Sequence, residues 1–172
     1  MVDSRTYEFE GDRPTIDDGA SVSREATLVG DVRIESGASV WPGVVLRGDI
    51  GPVRVGQQAH VGDNATIHAS TLEERVMVGH GAVLNEATVE ARALVGFNAT
   101  VNTEVTIGAG SVVAAGTVVP DEYDIPPESF ARGVPARITP LEETGIDAEA
   151  IFEDFASGEY TNLAGRHEEL FE

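Results

Sequence analysis

The 172-residue chain contains no cysteine and no lysine, and all eleven of its basic residues are arginine. Without cysteine there can be no disulfides and no thiolate metal sites. Positive charge is scarce: thirty acidic residues leave a net charge of −19 at pH 7. Such a chain lacks the basic face that a phosphate backbone needs, which argues against nucleic acid as a partner. An anionic membrane surface is disfavoured for the same reason. No stretch approaches the roughly 20 apolar residues of a membrane span. The polar, acidic start from Met1 to Glu10 lacks the apolar core of a signal peptide. Together these absences predict a cytoplasmic protein with no membrane partner.

The charge excess alone would suit a disordered chain. Against that, 41% of the residues are hydrophobic, and Val and Ile recur at regular positions. The expectation is a folded protein with an acidic, lysine-free surface. This is the composition of halophilic proteins, whose carboxylates hold water and cations in strong brine. At low salt the same charges repel one another.

A repeat of six residues runs through the chain. Ile16, Val22, Leu28, Ile34, Val40 and Leu46 form a first phase. Val55, Val61 and Ile67 form a second, and Met77, Val83, Val89, Val95, Val101, Ile107, Val113 and Val119 a third. Neither a helix nor an alternating strand has this period. A parallel β-helix does: each hexad is a short strand and a turn, three hexads close one coil, and the aliphatic residue points inward. Seventeen such positions predict about six coils, a prism roughly 27 Å tall. A β-sandwich of short Val-rich strands is the alternative, but it requires no strict period. The phase breaks at Arg47–Arg54 and His68–Val76 predict excursions that leave the prism. Prolines punctuate the exit after Val119, and from Asp147 a helical pattern follows, with a break near Gly158. The expected organisation is a β-helix domain over 1–140 and a helical tail over 141–172 packed on it.

The segment Val40-Trp41-Pro42-Gly43-Val44-Val45-Leu46-Arg47-Gly48-Asp49 carries a more specific signal. It resembles a stretch of the gamma-class carbonic anhydrases. Two further segments are similar to that family: Gly62-Asp63-Asn64-Ala65-Thr66-Ile67-His68 and Val78-Gly79-His80-Gly81-Ala82-Val83-Leu84-Asn85. The exit Gly133-Val134-Pro135-Ala136-Arg137 is also similar, although hexapeptide acyltransferases share it. The resemblance implies a left-handed parallel β-helix and a homotrimer with zinc, or another divalent ion such as iron or cobalt, at subunit interfaces. It implies reversible hydration of carbon dioxide to bicarbonate by a metal-bound hydroxide.

In that family three histidines bind the metal, one from one subunit and two from its neighbour. The first maps to His68 and the second to His80. The third maps to Asn85, a departure that weakens the expected site, because a neutral amide oxygen is a poorer donor than imidazole. His60 is the candidate substitute, its alternative being an ordinary surface histidine. The resemblance also implies roles for Arg47 and Asp49, which tie subunits together near the site. Asp63 is expected to orient a ligand or bound water, its alternative being a turn residue bonded to its own backbone, and Tyr160 either reaches the cleft from the tail or packs against the prism. Two family features are missing: Gly62 stands where a glutamine helps to orient hydroxide, and Ile50 stands where an acidic proton shuttle follows the Arg-Gly-Asp run. Glu73 and Glu74 could move protons, or be solvated charges like the protein's other acids.

Two further function classes stay open. A hexapeptide acyltransferase would use coenzyme A and a general-base histidine. A non-catalytic assembly or binding protein would have kept the trimer and lost the chemistry, as Asn85 and Gly62 would allow.

Overall fold

The computed structural model describes residues 5–156 and 163–171. The repeat becomes a parallel β-helix, with short strands stacked in parallel one coil above another. Each coil contributes one inward side chain to each of three faces. On the first face Val22, Val40, Val61, Val78, Val95, Val113 and Ala131 stack in register. On the second, Leu28, Leu46, Ile67, Leu84, Val101 and Val119 do the same. On the third the column runs Ile16, Ile34, Val55, Leu72, Val89, Ile107 and Ile125. Six complete coils therefore run from Val22 to Ile125. From Leu28 upward these side chains are within 1% of full burial, and each Val, Leu and Ile among them contributes about 1.5–3 kcal/mol of apolar transfer energy.

The third phase of the repeat starts one residue later than the sequence pattern suggests. The inward residues are Val78 and Leu84, with no exposure; Val83 is 40% exposed and Met77 lies beside the core column. The second phase break is therefore a shortened corner and not an excursion. From Ile67 to Leu72 the chain advances five residues, with Ala69 at φ 46°. Buried Ser70 donates to the His68 carbonyl and accepts from the Ala87 N–H, supplying hydrogen bonds that the missing residue would have made. The next coil repeats the device, with Glu86 at φ 49° between Leu84 and Val89. A shortened corner moves the aliphatic position without removing a strand, which a fixed six-residue frame reads as a gap.

The first phase break is real and small. The long strands Thr27–Ile34 and Val45–Val55 pair along their length, but the register jumps from Gly30↔Gly48 to Val32↔Val53. Residues 49–52 thus bulge outward opposite Asp31 alone, placing Ile50 in solvent. Gly48 is required here, because a Cβ at that position would collide with the Asp31 backbone. Across the bulge, Arg54 makes a bidentate pair with Asp31, at 2.8 and 2.9 Å.

The strands Ser129–Arg132 and Arg137–Pro140 form an antiparallel hairpin that closes the last coil. The tail follows as short helices, Ala148–Ala156, Leu163–Arg166 and Glu168–Phe171. Asp147 caps the first, accepting from the Ala150 N–H. Arg92 anchors that helix to the prism, pairing with Glu149 at 3.7 Å and lying over the Phe152 ring. The last helix returns to the first coil, where its Leu170 carbonyl accepts from the Arg24 N–H. Gly158 lies outside the described residues. No helix among the described residues is long and apolar enough to cross a membrane.

Candidate functional site

His68 ends the second-face strand Thr66–His68, so its side chain leaves the prism where the chain turns the corner. The register places Arg47 on the coil below it and Asn85 on the coil above. The outward bulge brings Asp49 back toward the same ring. His68 Nε2 lies 3.2 Å from Asp49 Oδ1, and its Nδ1 lies 2.7 Å from Asn85 Oδ1. Arg47 donates to the other Asp49 oxygen at 2.7 and 3.3 Å. That guanidinium, more than the nearby imidazole, holds the Asp49 carboxyl below the usual carboxylate range. Asn85 in turn donates from Nδ2 to Thr103 Oγ1 at 2.8 Å, and Asp121 accepts from the Thr103 N–H. A hydrogen-bonded chain thus crosses the stacked coils from Arg47 through Asp49, His68 and Asn85 to Thr103.

His80 occupies the other end of this face, in the turn before Val83. Its ring stacks on Phe97, with centroids 5.1 Å apart. Both the Asp63 N–H and Asp63 Oδ2 lie 2.9 Å from His80 Nδ1. These contacts ask for opposite proton positions, since the N–H needs a lone pair and the carboxylate a proton. The carboxylate contact is the one compatible with an Nε2 lone pair offered to a cation. Gly62 fits this arrangement, because a Cβ there would lie 2.9 Å from His80 Nδ1. The missing glutamine is therefore tied to the position of His80.

Within one chain, Asn85 is the in-register neighbour of His68. His60 is not beside His68. It projects from the first face next to Trp41, with ring centroids 5.7 Å apart, and its Nδ1 is 3.0 Å from Ser39 Oγ. His167 and Phe171 of the tail also meet Trp41, at 6.0 and 5.3 Å. Burial, reinforced by the nearby His80 charge and opposed by Asp63, pushes the His60 pKa down to about 4. His60 is thus a neutral, covered residue.

Glu73 serves the backbone, accepting from the Ala91 N–H on the next coil; Glu74 is exposed. Tyr160 lies outside the described residues. Thr103 is the contributor that sequence reasoning missed. Its signal is positional: it follows Asn102, one coil above the corner that Asn85 enters.

Within the described residues of one chain, no three His, Asp or Glu side chains gather into a metal-holding group. The arrangement does offer N and O donors of the kinds zinc takes: His68 Nε2 beside Asp49 Oδ1, and His80 Nε2 at the far end of the face. A donor set of three from these residues needs a second chain.

Comparison with known proteins agrees with the repeat fold. Residues 87–120 match the family described as hexapeptide repeat of succinyl-transferase. The mitochondrial gamma carbonic anhydrase 1 of Arabidopsis thaliana is 34% identical over 168 residues, covering 90% of this chain and 59% of the plant protein. The carnitine operon protein CaiE of Escherichia coli is 32% identical, covering 93% of this chain and 83% of its own length. A solved structure described as a putative acetyltransferase from Bacillus cereus superposes with a TM-score of 0.80 at 29% identity, covering 88% of this chain and 92% of that one.

Fold and repeat define the class: the chain is a hexapeptide-repeat β-helix protein. More narrowly, it belongs to the hexapeptide-repeat family that contains the gamma-class carbonic anhydrases. It spans about three-fifths of the length of the plant carbonic anhydrases it matches.

Proposed function

We propose that this protein is a trimeric, gamma-class carbonic anhydrase-like metalloprotein that reversibly hydrates carbon dioxide. The observation that carries the reading is the His68 site. An imidazole stands at a β-helix corner between an ionised carboxylate and an amide, on segments that match the family. His68 of one subunit and His80 of a neighbour are the imidazoles that would hold a divalent ion, zinc or a related metal. They lie at opposite ends of one face of the chain, so one ion would take them from two chains. When bound, such an ion acidifies water enough for carbon dioxide to be hydrated near neutral pH.

The rest of the site follows from this chain's own side chains. Arg47 engages Asp49 Oδ2 and so turns Oδ1 toward His68. Asn85 holds His68 Nδ1, and Asp63 holds His80 Nδ1, which fixes both rings. No acidic side chain occupies position 50, so protons would leave through solvent at the open bulge, and turnover should be slow. Elemental analysis of protein purified in molar salt, paired with a carbon dioxide hydration assay, tests the reading. Bound metal with measurable hydration supports it. Absence of metal under saturating zinc would leave the non-catalytic assembly protein.

The Bacillus cereus structure, described as a putative acetyltransferase, favours acyl transfer as the second reading. It would use His68 as general base. Saturable acetyl-coenzyme A binding, with no uptake of zinc, would select it.

A further inference from the structure

The inference concerns what sets the plane of the His80 ring, and it rests on the metal reading above. His80 stands at a corner of the prism with its side chain 53% exposed. A half-exposed imidazole has several rotamers open to it, and holding one of them costs entropy. Asp63 meets the ring at a single nitrogen. A tether at one edge leaves the ring free to swing about that contact.

The coil above supplies the second restraint. The register makes Gly62 and Gly79 equivalent places on successive coils, and likewise His80 and Phe97. A Cβ at Gly62 would lie 2.9 Å from His80 Nδ1, and a Cβ at Gly79 would lie 2.7 Å from Phe97 Cδ1. Each ring therefore leans down over a glycine of the coil beneath it. Because both lean the same way, they come nearly parallel, with centroids 5.1 Å apart and planes 25° apart. That is a stacked aromatic pair, and it holds whichever imidazole nitrogen carries the proton. Phe97 keeps 54% of its surface exposed, so filling the core is not its role.

We propose that Phe97 is a positioning residue for His80. Phe97 backs the face of the imidazole while Asp63 holds its edge, and the glycines at 62 and 79 leave room for the two rings to stack. His80 is thereby kept in one orientation toward a divalent cation. Phe97 carries no donor atom and acts only through His80.

The test compares Phe97→Leu, which keeps the apolar bulk without a flat face, with Phe97→Tyr, which keeps the ring. Proton NMR of the metal-free proteins in molar salt should show the His80 ring protons displaced by the ring current of residue 97. His80→Ala identifies their signals among the four histidines. The displacement should persist in Phe97→Tyr and vanish in Phe97→Leu. Zinc titration should show binding about two- to tenfold weaker in Phe97→Leu, the size of one lost aromatic pair, and close to the parent in Phe97→Tyr. The cobalt-loaded Leu variant should have an altered visible spectrum, as expected when a ligand ring changes its angle. Light scattering should find the same oligomeric state throughout. His80 ring protons unchanged in Phe97→Leu would overturn the proposal. A Leu variant that loses zinc only by losing that oligomeric state would also overturn it, because Phe97 would then be an interface residue. If the unsubstituted protein takes up no zinc, the metal reading falls, and this proposal with it. If zinc binds the parent and Phe97→Leu equally tightly, only this proposal falls.

Discussion

The coils from Val95 to Val119 and the coils from Leu28 to Leu72 share one fold and are built differently. In the upper coils every step is six residues, every inward aliphatic is sealed, and the outward face carries little that can react. In the lower coils the strands lengthen, residues 49–52 bulge, and the corner at Ala69 loses a residue. The ionised Asp49, the His68 ring and the Arg54–Asp31 pair all lie there. A regular coil presents each outward side chain directly above the one below it. Regular stacking sets Arg47 beside His68, and it is the bulge that brings Asp49 to the same ring.

Substitutions chosen from the two regions should separate them sharply. Val95→Asp buries a charge with no partner in a sealed column and should unfold the prism, at a cost of several kcal/mol. Ile50→Asp in the bulge changes a side chain that is 76% exposed and should move stability by no more than about 0.5 kcal/mol. Urea unfolding of both variants makes the comparison. Similar losses would mean that the bulge is as much core as the coils above.

The second effect in size is pH dependence at His60. Its folded pKa is about 4, below the ordinary 6.5. The unfolded state therefore binds the proton first, and stability is lost as pH falls from about 6.5 toward 4. The slope approaches about 1.4 kcal/mol per pH unit, for a total near 3 kcal/mol. His60→Gln should flatten unfolding free energies measured across that window. A profile unchanged by the substitution would show that the Trp41 cluster does not keep this ring neutral.

Salt should act more gradually and on the whole surface. With net charge −19 and no lysine, thermal midpoints should rise from low to molar salt as self-repulsion is screened. A flat or falling series would remove the halophilic reading. Smallest is Arg54→Gln. The pair with Asp31 is partly exposed, 37% and 43% by side chain, and screening limits the loss to about 1 kcal/mol at most. Arg54 lowers the Asp31 pKa, so this contribution exists above the carboxylate range and disappears on acidification. Double-mutant cycles across the pair would measure it.

Much of the fold was legible because a β-helix writes its period directly into the chain. The six-residue step from Val89 to Val119 is the same object in sequence and structure. The frame failed at Met77 and Val83 because it assumed equal corners, whereas Ser70 allows a corner one residue shorter. At the site, family segments pointed to His68, His80, Arg47 and Asp49, but a motif does not say which side chains touch. Stacking by register, roughly one coil per seventeen or eighteen residues, decides that. It sets Asn85 against His68 and brings in Thr103, while His60, close to His68 in sequence, turns onto another face under Trp41.

The central claim is a metal site shared between chains, and mixed trimers test it most directly. Subunits carrying His68→Ala and subunits carrying His80→Ala would each form trimers unable to bind zinc. Refolded together, they create an interface where an intact His68 meets an intact His80. The account predicts that zinc uptake returns in the mixed trimers and in neither parent alone. Mixed trimers that bind no zinc, from a parent protein that does, would contradict it, because the two histidines would then have to serve within one chain.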